Sequence, residues 1–218
     1  MKYLELPTDR IVLHQDDLPT WALRAARNAG LVAWDTETSG LDWMLDQIGT
    51  CQVYIPGRQV HVVKIEDGSH ENLKLLLADN TVRKVFHHAM FDLRFIAHHW
   101  QASASNVVCT KIASRIADPE QSDHTLKSLV ESYLGISLDK TQRRSNWLAR
   151  RLDKKQLVYA AGDVICLPEL FSILRRRLVK SKRWALASAS FRYLLIRVTL
   201  DILGVADVFR YSSAPNNS

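Results

Sequence analysis

The 218-residue sequence predicts an α/β chain: a mixed sheet with helices packed on it. Three observations predict this. Strand-like runs at 31–36, 49–55 and 60–65 stand at hairpin-like spacing. Helical and strand-like patterns then alternate along the next stretch of chain. Finally, 47% apolar and 24% charged residues exclude wholesale disorder, and a chain of this length buries roughly 70% of its unfolded surface without disulfide or structural metal. With only 8 Gly and 6 Pro, collagen-like or linker-dominated character is excluded as well.

The elements follow in order. Residues 18–29 pattern as a short helix stopped by Gly30. The next run starts Leu31-Val32-Ala33-Trp34, uninterruptedly apolar, as a central strand buried on both faces should be. The runs at 49–55 and 60–65 are joined by a turn at Pro56-Gly57. Helices are expected at 70–78 and 89–100, around a short strand at 82–86, and another short strand at 107–109 precedes a mostly helical second half. Pro168 inside a helical pattern at 153–179 predicts a kink or break. A helix at 190–203 carries an apolar stripe of Leu195, Val198 and Ile202, with Arg197 and Asp201 paired at i,i+4 on its other side. Residues 212–218 read as a disordered end.

Charge narrows the partner. The formal charge is +6, but residues 140–183 hold thirteen Lys and Arg against three acids, a local +10 that leaves −4 elsewhere. A basic half favours a polyanion, nucleic acid before an anionic membrane surface. The cationic stretch lacks a companion Trp/Phe-rich amphipathic face, and the apolar segment 184–208 is broken by Arg192, Arg197, Asp201 and Asp207, so no membrane partner is expected. Cys51, Cys109 and Cys166 lie far apart without C-x-x-C spacing, and the first ten residues lack the apolar core of a signal peptide. Reduced thiols in a cytoplasmic protein are expected.

Three constellations carry chemistry. In WDTETSGLD, Asp35 and Glu37 are two apart on a strand, so both carboxylates face one way. Two acids at the end of a buried strand are costly unless they are solvated or bind a cation, and carboxylate oxygens suit hard divalent ions. In FHHAMFDLRFIAHHW, Asp92 lies in the first turn of a helix, where an acid also complements the helix dipole. The histidines there, His87, His88, His98 and His99, come as adjacent pairs that do not share a helix face and so do not suggest zinc. In QLVYAAGDVICLPEL, Tyr159 and Asp163 are i and i+4 on a helix and project from one side. Taken together, these are the parts of two-metal phosphoryl chemistry. With a reference pKa near 10, Tyr159 suits orienting water better than removing its proton.

The order DTET, HHAMFD, YAAGD resembles the DEDD 3′→5′ exonucleases, and specifically the ribonuclease D branch with tyrosine in the third motif. The resemblance runs from about residue 10 to about 180, and LDKTQRRSNWLARRLDKKQLVYAAGDV carries it well beyond the acids. It implies a ribonuclease H-like fold: a five-stranded mixed sheet with flanking helices, here with a short C-terminal helical extension. By the same resemblance Asp35 bridges two divalent ions, Mg²⁺ or Mn²⁺. Glu37 and Asp163 complete the nucleophile-side ion, Asp92 holds the second ion, commonly through water, and Tyr159 positions the attacking water. Three departures concern substrate positioning: His88 where members often carry Asn, Asn146 in Ser145-Asn146-Trp147 where they often carry Asp, and Arg151 where Pro is common.

The sequence thus points to a metal-dependent 3′→5′ exoribonuclease releasing 5′-monophosphates from single-stranded 3′-OH ends. RNA is preferred to DNA by resemblance to the processing of stable RNAs. A DNA exonuclease of the same fold is the first alternative and a catalytically silent nucleic-acid-binding module the second. The exonuclease unit is expected at 1–183 and the helical extension at 184–211. By the same resemblance the chain is expected to stop before the helical domains that longer ribonuclease D proteins append, so it should grip its substrate through the basic second half, with Arg143, Arg144, Arg150 and Arg151 the candidate contacts.

Overall fold

The fold is organised around one eight-residue strand. The structure, a computed structural model, describes residues 2–4, 6–139 and 141–209; the expected disordered end at 212–218 lies outside them. In chain order the elements are β1 (Lys2–Tyr3), β2 (Ile11–Gln15), α1 (Thr20–Ala29), β3 (Leu31–Thr38), β4 (Ile48–Tyr54), β5 (Val60–Lys64) and α2 (Glu71–Ala78). Then follow β6 (Arg83–Phe86), α3 (Met90–Trp100), β7 (Val107–Cys109), α4 (Thr110–Ala117), α5 (Leu126–Leu134), β8 (Ile136–Ser137), α6 (Lys154–Ile165), α7 (Leu167–Lys180) and α8 (Trp184–Ile202).

The main sheet is mixed, in the order β2-β5-β4-β3-β6-β7. β3, β4 and β5 form an antiparallel meander, while β2, β6 and β7 pair parallel with their neighbours. The expected five-stranded sheet therefore has a sixth strand, β2, at its edge. Its Ile-Val-Leu-His-Gln run is half exposed along its length, so neither strict alternation nor a continuous buried run marks it in the sequence. A two-residue parallel pairing of β1 with β8, also unexpected, ties the N-terminal end to the second half of the chain.

Local chemistry explains the boundaries. Gly30 closes α1 at φ +67°, a left-handed cap that costs glycine nothing. The helical pattern at 153–179 breaks at Cys166, as Pro168 requires: a proline that would disrupt a helix interior sits in the first turn of α7, where its missing N–H costs nothing. The last helix starts at Trp184, six residues before the sequence pattern indicated. Its buried stripe is Ala187, Phe191, Leu194 and Val198; of the expected Leu195, Val198 and Ile202, only Val198 is buried. The difference arises because α8 packs against α3, α4, α7 and β7, and the face they jointly cover is that of Ala187, Phe191, Leu194 and Val198. The Arg197–Asp201 pair forms as expected, and Asp201 also accepts from Arg94 Nε of α3 at 2.6 Å, which pins α8 to α3.

α6 lies across β3, β4 and β5 on one face of the sheet. α1 lies on the other, where Trp21 meets the His61 ring edge-on, His61 pointing away from the face that carries Val62 and Lys64. The α6 stretch through α7 is long and apolar enough to span a membrane by length and composition, but most of it is buried in this core.

Candidate active site

β3 sets the site's geometry. Asp35 and Glu37 point to the face covered by α6, in register with Gln52 and Thr50 of β4. Gln52 Nε2 donates to Thr50 Oγ1 at 2.6 Å, so the polar side chains beside the two acids bond each other within a buried layer. α6 is started by a capping box: Asp153 accepts from Gln156 N at 2.8 Å while Gln156 Oε1 accepts from Asp153 N at 3.0 Å. A helix fixed at its first residue fixes where Tyr159 and Asp163 fall, one turn apart and facing β3.

The result is convergence. One carboxylate oxygen from each of Asp35, Glu37 and Asp163 lies within 4.8 Å of the others. Among the described residues these three form the acidic or histidine cluster able to hold an ion, and their all-oxygen donor set fits a hard divalent cation such as Mg²⁺ or Mn²⁺. The phenol of Tyr159 donates to Asp163. Burial first, then the negative charges of Asp163, Glu37 and Asp35, hold that phenol protonated well above the ordinary tyrosine range. A phenol held in its protonated form can donate a hydrogen bond and is poorly suited to take up a proton.

Asp92 stands apart from the trio. It is 2% exposed, and its Oδ1 accepts from Thr36 N at 2.9 Å and Thr36 Oγ1 at 2.8 Å. The pairing of β3 with β6 ends at Ala33–Val85, so Asp92 takes over the Thr36 N–H that a longer β6 would have bonded. Burial pushes its carboxyl up to about 7, against the opposing pull of the Thr36 hydrogen bonds. The histidines are dispersed into packing. His87 Nδ1 meets Thr110 Oγ1 at 2.9 Å, His98 packs on Trp43, and His99 stacks on Phe95.

Two of the three departures have a local explanation. His88 sits at φ +65°, in the left-handed region that Asn and His tolerate better than most residues, so the backbone accepts either. Asn146 Oδ1 accepts from Leu148 N at 3.1 Å, a turn that an aspartate would make equally well. Arg151 is exposed in the bend before Asp153.

Arg143, Arg144, Arg150 and Arg151 are all exposed on the turn-rich segment between β8 and α6. That segment borders the site through Trp147, whose ring centroid lies 5.8 Å from that of Tyr159. A cavity of about 230 Å³ opens beside Tyr159 and Asp163, walled by Leu4, Leu138 and the stems of Lys154 and Lys155. The burial of Lys64, at the end of a strand that is apolar but for His61, was not legible in the sequence.

The chain is similar to known proteins over most of its length. The 3′-5′ exonuclease family profile matches residues 10–179. DNA polymerase I of Aquifex aeolicus is 34% identical over 155 residues, covering 71% of this chain and 25% of the polymerase. Ribonuclease D of Bartonella henselae is 31% identical over 163 residues, covering 74% of this chain and 40% of that protein, so the chain spans less than half of either relative. Brucella melitensis NrnC, in a structure bound to pGG, superposes with a TM-score of 0.86 at 35% identity, over 93% of this chain and 98% of that one. The same protein with bound Mg²⁺ superposes with a TM-score of 0.85. With three acids converging beside a tyrosine on a mixed sheet, and with these likenesses spanning most of its length, the chain belongs to the 3′-5′ exonuclease family, on its ribonuclease D-like DEDD branch.

Proposed function

We propose that the chain is a divalent-cation-dependent 3′→5′ exoribonuclease, acting on single-stranded 3′-OH ends and releasing 5′-monophosphates. The observation that carries this reading is the approach of Asp35, Glu37 and Asp163 to within 4.8 Å, with the protonated Tyr159 phenol against them. Asp35, Glu37 and Asp163 would hold the nucleophile-side ion, with Asp35 shared to a second. Asp92, whose Oδ1 is committed to Thr36, would reach that second ion through water. A bound pair of such ions activates water and stabilises the leaving oxygen. The chain's own contribution is to converge the carboxylates, to orient the attacking water from Tyr159 and to draw in the phosphodiester strand with the exposed arginines.

The ribonuclease D relative favours RNA, and the Brucella NrnC structure bound to pGG suits a very short strand as ligand. The DNA polymerase I relative favours the second reading, a 3′→5′ DNA exonuclease of the same fold. On this reading the exonuclease unit runs over 1–183 and the helical extension over 184–211, as expected from the sequence. The three buried, unbridged cysteines suit a reducing cytoplasm. The deciding experiment digests matched end-labelled RNA and DNA oligonucleotides, single- and double-stranded, with Mg²⁺ and with Mn²⁺. Preferential shortening of single-stranded RNA supports the proposal, and faster digestion of DNA transfers it to the second reading.

A further inference from the structure

Lys64 stands where an apolar residue would be less costly. It is the last residue of β5, only 4% exposed, two strands from Glu37 in the cross-strand row Glu37–Thr50–Lys64. Burying an ammonium needs a compensating partner. Burial does lower the Lys64 pKa, an effect eased by the charges of Glu66 and Asp16. Its Nζ donates to the backbone carbonyl of Trp147 at 3.4 Å.

A second, independent observation points to the same carbonyl. A Cβ on Gly49 would lie 2.5 Å from Trp147 O and 2.7 Å from Trp147 C. The Trp147 backbone is therefore seated in a notch that only glycine leaves open, and the lysine donates to the same carbonyl. Gln156, the N3 partner of Asp153 in the α6 capping box, donates Nε2 to the neighbouring Asn146 O at 3.2 Å. Seated this way, Trp147 is 1% exposed and packs with Tyr159, Ala160 and Leu152 in a small cluster of its own, apart from the main core.

We propose that Gly49 and Lys64 are positioning residues: together they dock the Trp147 backbone, and the docked indole holds the Tyr159 ring at the angle from which its hydroxyl serves the attacking water. This rests on the water-orienting role given to Tyr159 above. The device sits on β4 and β5, outside the acidic motifs, and it couples the arginine-bearing segment to the chemistry. A disturbed notch should cost turnover more than substrate binding.

Two variants test it, Lys64→Met, close in shape but without the donor, and Gly49→Ala. The first readout needs no catalysis. Trypsin cleavage within 141–152 should accelerate about tenfold in both variants at unchanged melting temperature, because an undocked loop is the preferred site of nicking. The second is kinetic. Each variant should lower kcat about tenfold with KM within twofold of wild type, and in a Tyr159→Phe background the same substitution should cost less than a further twofold. Unchanged trypsin rates would overturn the docking. An equal kcat loss with and without the Tyr159 hydroxyl would overturn the coupling, as would a rise in KM at constant kcat. Should either variant fail to fold, the other carries both readouts. A wild-type protein without metal-dependent exonuclease activity would refute the proposed function, while the trypsin comparison would still decide the docking.

Discussion

The acidic centre and the arginine-bearing segment lie side by side, yet they are built in opposite ways. Asp35 and Glu37 are fixed by the ladder of a central strand, Asp92 by a backbone N–H of that strand, and Asp163 by a capped helix. The arginines ride on exposed turns, and the sheet meets that segment at the seat of Trp147, through Gly49 of β4 and Lys64 of β5. Phosphoryl chemistry tolerates displacements well below 1 Å, so its groups belong on regular elements. A phosphodiester backbone of varying sequence is gripped by charge, which tolerates looseness.

The sharpest way to break this comparison is to remove a rigid carboxylate. Asp35→Ala or Asp163→Ala should abolish nearly all turnover while leaving the circular dichroism spectrum and compactness of the folded protein. A variant retaining full activity in a preparation free of host nuclease would show that the trio is not the ion site. Next in size is Tyr159→Phe, which keeps the packing against Trp147 and removes the hydroxyl. Its loss should fall on kcat, by about 10²-fold. Rates and KM within twofold of wild type would remove Tyr159 from the chemistry.

The loose region should respond by degrees. Changing Arg143, Arg144, Arg150 and Arg151 to Glu, singly and together, should weaken substrate affinity stepwise. It should also flatten the slope of log K against log salt by about 0.7 for each phosphate that the protein no longer neutralises. An unchanged slope in the combined variant would place the strand elsewhere on the molecule.

The smallest effect concerns Asp92 and sharpens the claim that it is structurally bound. Its folded pKa is raised to about 7 against roughly 3.9 for an unfolded aspartate. In that interval the folded state binds more protons than the unfolded one, so this group's contribution to stability falls as pH rises from about 4 to about 7 and is level above. In chelator, Asp92→Asn keeps the acceptor for Thr36 and removes the charge. It should melt together with wild type near pH 4 and several degrees higher at pH 8. Parallel melting curves across that range would mean that Asp92 is not strained by its burial.

The sequence made some of this architecture legible and hid the rest for identifiable reasons. β3 announced itself because a four-residue apolar run on a doubly buried strand ends in two acids with period-two spacing, and the break before Pro168 followed from covalent geometry. Convergence of Asp163 with the β3 pair was implied by motif order and appears directly in space. β2 stayed hidden because an edge strand half exposed to water carries little periodic signal. The buried face of α8 was missed because four different elements, and not one helix partner, decide it. The engagement of Asp92 with Thr36 depends on where β6 stops, a tertiary fact that no local pattern carries.

The central claim is that Asp35, Glu37 and Asp163 form a cation-dependent site that consumes strands from their 3′ end. It is tested most directly with a 5′-labelled RNA oligonucleotide ending in a 3′-OH, followed over time with Mg²⁺, with chelator, and with the Asp35→Asn protein. The account predicts a ladder shortening one nucleotide at a time from the 3′ end with wild type and Mg²⁺, and intact RNA in both other reactions. A ladder in chelator or from Asp35→Asn, or cleavage at internal positions before the end is shortened, would contradict it.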